Sequence, residues 1–246
     1  MDILFFGGQS NMEGQTEAVP SDTAPVPGCL EYRLLTRSYV PLRHPAGEDV
    51  PPYLGGPYLG RGSLLPDFCR AYRRYRPVTV AAVHAALGAT DIDAWTPGSP
   101  LYRAAVDKFR AAAEDAPESI GHVYYVWLQG ESDAIRRRSG DEYLSRLIGF
   151  KDALRADCGI ERFGIIRVGY FAAPKDDEAI MEAQERAARE DSDFLLLTRL
   201  ASLLSRDADF LNPEFAGHFN NRAMTWLGLS AGEALGRFAA YGDAGL

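Results

Sequence analysis

The chain has 246 residues, of which 46% are hydrophobic and 24% charged, and its formal net charge is −8. This composition is ordinary for a globular protein with a sizeable core, and we expect a single domain over residues 1–246. No cluster of Lys and Arg is interleaved with aromatic residues, so we expect no nucleic-acid partner, and no apolar run is long enough to predict a membrane span.

The three cysteines, Cys29, Cys69 and Cys158, are scattered along the chain. They form neither a disulfide framework nor a CxxC metal site, and we interpret them as structural or free thiols. We expect no metal and no cofactor. The first predicted strand starts at residue 2, which fits a cytoplasmic protein or a secreted one whose leader has been removed. The oligomeric state stays open.

Predicted strands and helices alternate along most of the chain. The apolar stretch Asp2–Phe6 predicts a buried first strand. Similar runs predict strands at Val78–Val83, Val123–Leu128, Phe163–Val168 and Phe194–Leu197. Helix-period apolar positions predict helices at Leu64–Tyr75, Leu101–Ala113, Tyr143–Ala156, Ile180–Glu190 and Arg222–Ala239. Because nearly continuous apolar strands alternate with helices, we expect an α/β fold with a parallel sheet of about five strands, covered on both faces.

Residues 15–62 break this alternation. They are rich in proline and glycine and show no clear periodicity. A long irregular segment inside a domain is often functional, and this one directly follows the turn after the first strand. We therefore expect it to form one wall of a pocket there, with Tyr53 and Tyr58 as weaker candidates for contacting a substrate.

Residues that can take part in catalysis follow the ends of the predicted strands. Ser10 lies in a glycine-flanked turn after the first strand, Gly88 after the second and Glu131 after the third, while His218 stands before the last helix. Because the carboxyl ends of parallel strands meet at one edge of a sheet, we expect these residues to gather there. A hydroxyl, an imidazole, a carboxylate and donors for an oxyanion are what acyl transfer requires.

Four motifs in chain order resemble those of a known family. They are Gly8-Gln9-Ser10-Asn11-Met12, Gly88-Ala89-Thr90 with Trp95 after it, Gln129-Gly130-Glu131-Ser132-Asp133, and the late His218. They resemble the block motifs of SGNH hydrolases, and more narrowly those of carbohydrate esterase family 6 and the sialate O-acetylesterase-like proteins. The resemblance implies a flavodoxin-like α/β/α sandwich and metal-free hydrolysis of O-acetyl esters on sugars. A GxSxG elbow is absent, which argues against an α/β-hydrolase.

The resemblance also implies roles for single residues. Ser10 is the expected nucleophile. The expected oxyanion donors are the backbone amides of Ser10 and Gly88 and the side-chain amide of Gln129. Ala89 stands where relatives carry a second glycine, which is a mild change if its φ is negative.

Three residues are candidates for binding the substrate. Gln9 and Asn11 flank Ser10 in the first motif, and Trp95 either stacks on a sugar ring or packs in the core. Asp133 is interpreted as a helix cap or a brace for its loop, and His84 as a packed, hydrogen-bonded residue.

One departure from the family leaves the orienting acid open. Relatives carry DxxH, but Phe215 stands three positions before His218 and is expected to orient nothing. Glu131 is the first substitute considered, Glu214 the second, and a water-assisted Ser-His dyad the third. Losing the orienting acid lowers kcat by roughly 10⁴-fold in a triad enzyme, so the choice matters.

Three functions fit these residues. The first is a serine esterase that deacetylates a carbohydrate, of the acetylxylan or sialate type, through an acetyl-enzyme. The second uses the same residues on another acyl substrate, a lipid ester or thioester, and an apolar groove beside Ser10 would favour it. The third is an inactive carbohydrate-binding protein, which gains support if neither Glu131 nor Glu214 reaches His218.

Overall fold

The computed structural model describes residues 1–17, 22–47 and 61–245. Its strands are β1 (Asp2–Gly8), β2 (Cys29–Arg33), β3 (Ser38–Pro41), β4 (Val80–Ala86), β5 (Val123–Leu128), β6 (Arg162–Ile166) and β7 (Phe194–Thr198). They form one seven-stranded sheet in the order β3-β2-β4-β1-β5-β6-β7. Neighbouring strands are parallel except β2 and β3, which pair antiparallel.

The described α-helices follow these strands in the expected alternation. They are α1 (Ser10–Glu13), α2 (Leu65–Tyr75), α3 (Pro100–Glu114), α4 (Glu131–Ile135), α5 (Gly140–Cys158), α6 (Pro174–Glu190), α7 (Ala201–Leu204) and α8 (Asn221–Tyr241). Two short 3₁₀ helices span Ile92–Trp95 and Ala208–Phe210. Within the described ranges, no helix combines the length and apolarity that a membrane crossing would need.

The five predicted strands are confirmed and occupy the positions β4-β1-β5-β6-β7. This is the flavodoxin-like order, which the family resemblance implies. The predicted strand number was too low, because β2 and β3 arise from the segment 15–62. Both are short, and β3 is a half-exposed edge strand, so neither shows the continuous apolar run of a central strand. Tyr53 and Tyr58 lie outside the described residues.

Helices cover both faces of the sheet and make the three layers. α2 and α8 pack together on one face, and α3, α5 and α6 pack on the other. Successive residues of the central strand β1 point to opposite faces, as the pleat requires. Phe6 meets Phe68 of α2 at 5.1 Å between ring centroids, whereas Phe5 stacks on Phe109 of α3 at 5.3 Å.

The order of the strands also determines where a site can form. β1 lies between β4 and β5, and the chain turns to opposite sides of β1 to reach them. Such a switch point leaves a crevice beyond the carboxyl ends of the strands, where open α/β sheets bind ligands. Ser10 begins α1 at this crevice, directly after β1.

Candidate active site

Ser10 and His218 meet in this crevice, as predicted. His218 lies in the loop before α8, where its carbonyl accepts the Asn212 N–H at 2.7 Å. The Ser10 Oγ stands 2.8 Å from His218 Nε2. The two residues are only 4% and 7% exposed, so their hydrogen bond is shielded from bulk water.

The second ring nitrogen of His218 determines what the first can do. Nδ1 lies 3.1 Å from the carbonyl oxygen of Ala216. A carbonyl oxygen only accepts, so Nδ1 carries the hydrogen and Nε2 is left to accept the Ser10 hydroxyl. Burial lowers the pKa of His218, although backbone hydrogen bonds at Ala216 and Phe215 oppose that shift. A neutral imidazole with a free Nε2 lone pair is what a general base needs.

Neither candidate acid hydrogen-bonds His218. Glu131 Oε1 accepts from Asn11 Nδ2 at 2.8 Å, and Glu131 Oε2 has no hydrogen-bond partner in the described part of the chain. Glu214 uses its backbone N–H to donate to Asn212 Oδ1 at 2.8 Å. The structure thus contains a Ser-His pair in which a backbone carbonyl takes the place of the expected carboxylate.

Aromatic rings also hold the imidazole. Phe215 stacks on His218 with 4.3 Å between centroids and 20° between planes, and Phe171 meets it edge-on at 5.5 Å. The expectation that Phe215 orients nothing was therefore wrong. It cannot supply charge, but a stacked ring restricts rotation of the imidazole.

Asn11 joins the nucleophile turn to the histidine loop. Its Nδ2 donates to Glu131, and its Oδ1 accepts the Phe219 N–H at 3.2 Å. Asn11 is 2% exposed, and this bridge occupies it instead of the expected substrate. Burial raises the pKa of Glu131, and the hydrogen bond from Asn11 offsets part of that rise.

The three expected oxyanion donors differ in their hydrogen-bond acceptors within the protein. Ser10 is the first residue of α1, so its N–H has no acceptor within the helix. The Gly88 N–H donates to Glu13 Oε2 at 2.8 Å. Gln129 is fully buried, and its Nε2 donates to Asp133 Oδ2 at 2.6 Å and to the Thr90 carbonyl at 3.1 Å. Gln129 therefore braces the surrounding turns and does not face the cavity.

Asp133 and Gln9 belong to the same bracing network. Asp133 accepts from Arg138 Nε at 2.5 Å and from the Ile92 N–H at 3.0 Å, so it ties the loop after β4 to α4. Gln9 Oε1 accepts the Ser132 N–H at 3.1 Å. Gln9 nevertheless lines the cavity, as a substrate-contacting residue would.

Trp95 packs in the core, which is one of the two alternatives that the sequence left open. It is fully buried, and its ring meets Trp127 edge-on at 5.4 Å. Its indole N–H donates to Thr90 Oγ1 at 3.1 Å. Trp95 thus supports the Gly88–Thr90 turn from behind and presents no face to a sugar.

Ala89 does not meet the condition for a mild exchange. Its φ is 60°, in the left-handed region where a Cβ is unfavourable. Ala89 therefore holds a strained backbone conformation in this turn.

A cavity of about 350 Å³ opens beside Ser10 and His218. Its apolar wall consists of Leu87, Ala89, Ile135, Phe171 and Phe215, and Glu13 and Gln15 add polar groups. The sequence interpretation did not single out Glu13, although it directly follows the first motif. Gln15 is the first residue of the segment 15–62, which was expected to form one wall of the pocket. The sequence interpretation also missed Ile135 and Phe171, which no motif marks. Among the described residues, no three His, Cys, Asp or Glu side chains are grouped as metal ligands.

Comparisons with known proteins bear on the family and the fold of the chain. A family model described as carbohydrate esterase, sialic acid-specific acetylesterase, matches residues 1–236. No curated protein sequence matches significantly. Structures of similar fold include a protein from Arabidopsis thaliana, with 20% identity, a TM-score of 0.72 and coverage of 95% of this chain and 97% of that one. NanS shows 17% identity, a TM-score of 0.71 and 97% coverage of both chains. A carbohydrate acetylesterase from Xanthomonas citri shows 18% identity and a TM-score of 0.61, with 98% of this chain and 57% of that one covered. At such identities the likeness establishes the fold alone.

Proposed function

The chain belongs to the carbohydrate esterase family of sialic acid-specific acetylesterases, as its motifs predict, and we propose that it hydrolyses O-acetyl esters on carbohydrates through a serine nucleophile. The family makes it a carboxylic ester hydrolase. The observation that carries the proposed serine mechanism is the 2.8 Å hydrogen bond between Ser10 Oγ and His218 Nε2, with Nδ1 held on the Ala216 carbonyl.

In the proposed acylation, the Ser10 oxygen attacks the acetyl carbonyl carbon while His218 Nε2 takes the hydroxyl proton. The carbonyl π electrons move to oxygen, and the Ser10 N–H stabilises the resulting oxyanion. Gly88 N–H becomes a second donor when Glu13 releases it. When the intermediate collapses, the bond to the sugar oxygen breaks, and His218 returns the proton to that oxygen.

Deacylation repeats these steps with water. His218 Nε2 takes a proton from water, whose oxygen attacks the acetyl group on Ser10, and collapse releases acetate and restores the hydroxyl. In both halves the imidazolium needs a partner for Nδ1–H. The Ala216 carbonyl dipole fills that role more weakly than a carboxylate would, so we expect a lower kcat than in a full Ser-His-Asp enzyme.

Hydrolysis of acetylated sugars by wild type and Ser10→Ala tests this proposal. Release of acetate is measured from acetylated xylan fragments and O-acetylated sialic acid. We expect wild type to release acetate and Ser10→Ala to lose at least about 10³-fold in kcat. Turnover that persists in a folded Ser10→Ala would contradict a serine mechanism.

The apolar wall favours a second candidate, an ester with a longer acyl chain. Ile135 and Phe215 are 56% and 47% exposed beside Ser10, where an aliphatic chain could cover them. A series of 4-nitrophenyl esters from acetate to octanoate separates the candidates. Highest kcat/KM at acetate supports the deacetylase, whereas a rise of tenfold or more toward longer chains supports the second function.

The inactive binding protein is the third candidate. Its stated condition is met, since neither Glu131 nor Glu214 hydrogen-bonds His218. The correct tautomer of His218 and the Ser10 hydrogen bond weigh against it, because binding alone requires neither. Absence of turnover on every ester above, together with measurable binding of an acetylated sugar, would support it instead.

A further inference from the structure

Glu13 places a carboxylate inside the candidate site that the proposed reaction does not use. It ends α1, on the same short helix as Ser10, and is 2% exposed. Its Oε2 accepts the Gly88 N–H at 2.8 Å and Gln15 Nε2 at 3.1 Å. Both Glu13 and Gln15 line the cavity with Ser10 and His218.

This carboxylate competes with the substrate for a donor beside the nucleophile. A Cβ added to Gly88 would lie 3.5 Å from Ser10 Cβ and 3.1 Å from Glu13 Oε2. An N–H makes one strong hydrogen bond, and an ionised carboxylate accepts it more strongly than a neutral ester carbonyl does. The carbonyl of a bound ester must therefore displace Glu13 Oε2 before Gly88 can stabilise the oxyanion.

Displacement has a cost that depends on the substrate. A buried carboxylate oxygen that gives up an N–H donor is destabilised unless another donor replaces it. A simple alkyl ester offers no donor. A sugar ester carries hydroxyl groups on the carbons next to the acylated one, and such an O–H can donate to the released oxygen.

We propose that Glu13 is a specificity-determining residue that exchanges the Gly88 N–H for a hydroxyl adjacent to the ester. This inference rests on the proposed esterase function. The substrate carbonyl takes the Gly88 N–H, and the neighbouring hydroxyl donates to Glu13 Oε2 in its place. Gln15 Nε2 holds the carboxylate near the site during the exchange. Esters without such a hydroxyl leave Glu13 Oε2 with one hydrogen bond fewer, because the donor lost from Gly88 is not replaced beside the one from Gln15, and they react slowly.

The test compares kcat/KM for glycerol monoacetate, which has a neighbouring hydroxyl, with that for propyl acetate. We expect wild type to prefer glycerol monoacetate by at least about tenfold, as one hydrogen bond to a charged group implies. In Glu13→Ala the rate on propyl acetate rises, the rate on glycerol monoacetate falls and the preference disappears. Glu13→Gln, which keeps a neutral acceptor, has an intermediate preference.

Glu178→Gln is the matched control. It removes a carboxylate outside the cavity, whose oxygen accepts from the Tyr170 hydroxyl at 3.3 Å, and should keep the wild-type preference. An unchanged preference in Glu13→Ala overturns the proposal. If the rates on both esters rise equally, Glu13 only blocks the Gly88 N–H. If both rates fall equally, Glu13 only stabilises the turn. A wild type without preference also overturns the proposal. Ser10→Ala tests the esterase function separately, because it shows whether hydrolysis needs Ser10 at all, whereas the Glu13 variants test only the ratio of the two kcat/KM values.

Discussion

At the scale of single residues, the hydrogen-bond partner of each reacting atom determines its role. In the proposed reaction His218 Nε2 can act as the base, because Nδ1 donates to the Ala216 carbonyl and Ser10 Oγ lies within hydrogen-bond reach of Nε2. The Gly88 N–H can serve the proposed oxyanion only after it leaves Glu13 Oε2, to which it donates in this structure. Ala89 has a left-handed φ of 60°, a conformation that glycine adopts without strain.

The pH dependence of activity should report the environment of His218. Burial lowers the pKa of this imidazole, so its neutral, proton-accepting form persists to lower pH than in an exposed histidine. We expect kcat/KM for an acetate ester to fall on the acid side with a midpoint below about pH 6.5, the ordinary pKa of histidine. A midpoint clearly above that value would mean that a carboxylate stabilises the imidazolium.

Ala89→Gly should stabilise the protein. It removes the unfavourable left-handed conformation of an L-residue, and we expect the free energy of unfolding to rise by about 1 kcal/mol in a denaturant titration. The control is Ala94→Gly, in the 3₁₀ helix Ile92–Trp95, which should lower it by roughly 0.5–1 kcal/mol. If both variants lose stability alike, Ala89 is not strained.

At the scale of secondary-structure elements, the site depends on how three of them are tied together. Asn11 of α1 links Glu131, which begins α4, to the Phe219 N–H beside His218. We therefore expect Glu131 to position His218 indirectly, through Asn11 and the backbone of the histidine loop. The bridge spans elements that are remote in sequence but adjacent at the carboxyl edge of the sheet.

Asn11→Ala should break this bridge and lower kcat by at least about tenfold, because the histidine loop loses its anchor and Glu131 its donor. The rate is measured well below the unfolding temperature, so that loss of folded protein does not contribute. Ser99→Ala is the control, since it removes the N-cap of α3 at a cost of about 1 kcal/mol without touching the site. Equal kcat values for Asn11→Ala and the control would show that the bridge has no catalytic role.

At the scale of the whole molecule, the layer of α2 and α8 depends on close backbone contact. A Cβ at Gly228 would lie 2.5 Å from the Leu64 carbonyl oxygen, and one at Gly236 would lie 2.8 Å from that of Tyr72. At Gly232 an added Cβ would overlap the Phe68 carbonyl oxygen. The glycines of α8 therefore let the two helices approach more closely than side chains would permit.

Gly232→Ala should lower the free energy of unfolding by about 1–3 kcal/mol, because backbone cannot move aside as a flexible side chain can. Gly149→Ala is a matched control within α5. An added Cβ at Gly149 would meet nothing within 4 Å, so this variant should gain roughly 0.5–1 kcal/mol from helix propensity. Thermal or denaturant unfolding of both variants measures the difference, and a neutral Gly232→Ala would contradict the close packing.

Much of the fold could be predicted because burial leaves a pattern in the sequence. Strands covered on both faces, such as β1 and β5, are continuously apolar, whereas β2 and the edge strand β3 are not and were missed. Ser10 and His218 could be paired because their elements end at one edge of the sheet. The roles of the Ala216 carbonyl and of the Gly88 N–H, which donates to Glu13, could not be predicted, because backbone partners carry no residue signature and depend on packing between remote segments.

The proposed function depends on Ser10 as the nucleophile that His218 activates. The most direct measurement is labelling with a 4-nitrophenyl alkylphosphonate, followed by peptide mass mapping and assay of the remaining esterase activity. We predict one phosphonyl group per chain, located on Ser10, with activity lost in proportion to labelling and no labelling of Ser10→Ala. A label on another residue that abolishes activity, or full esterase activity in Ser10→Ala, would show that Ser10 is not the nucleophile.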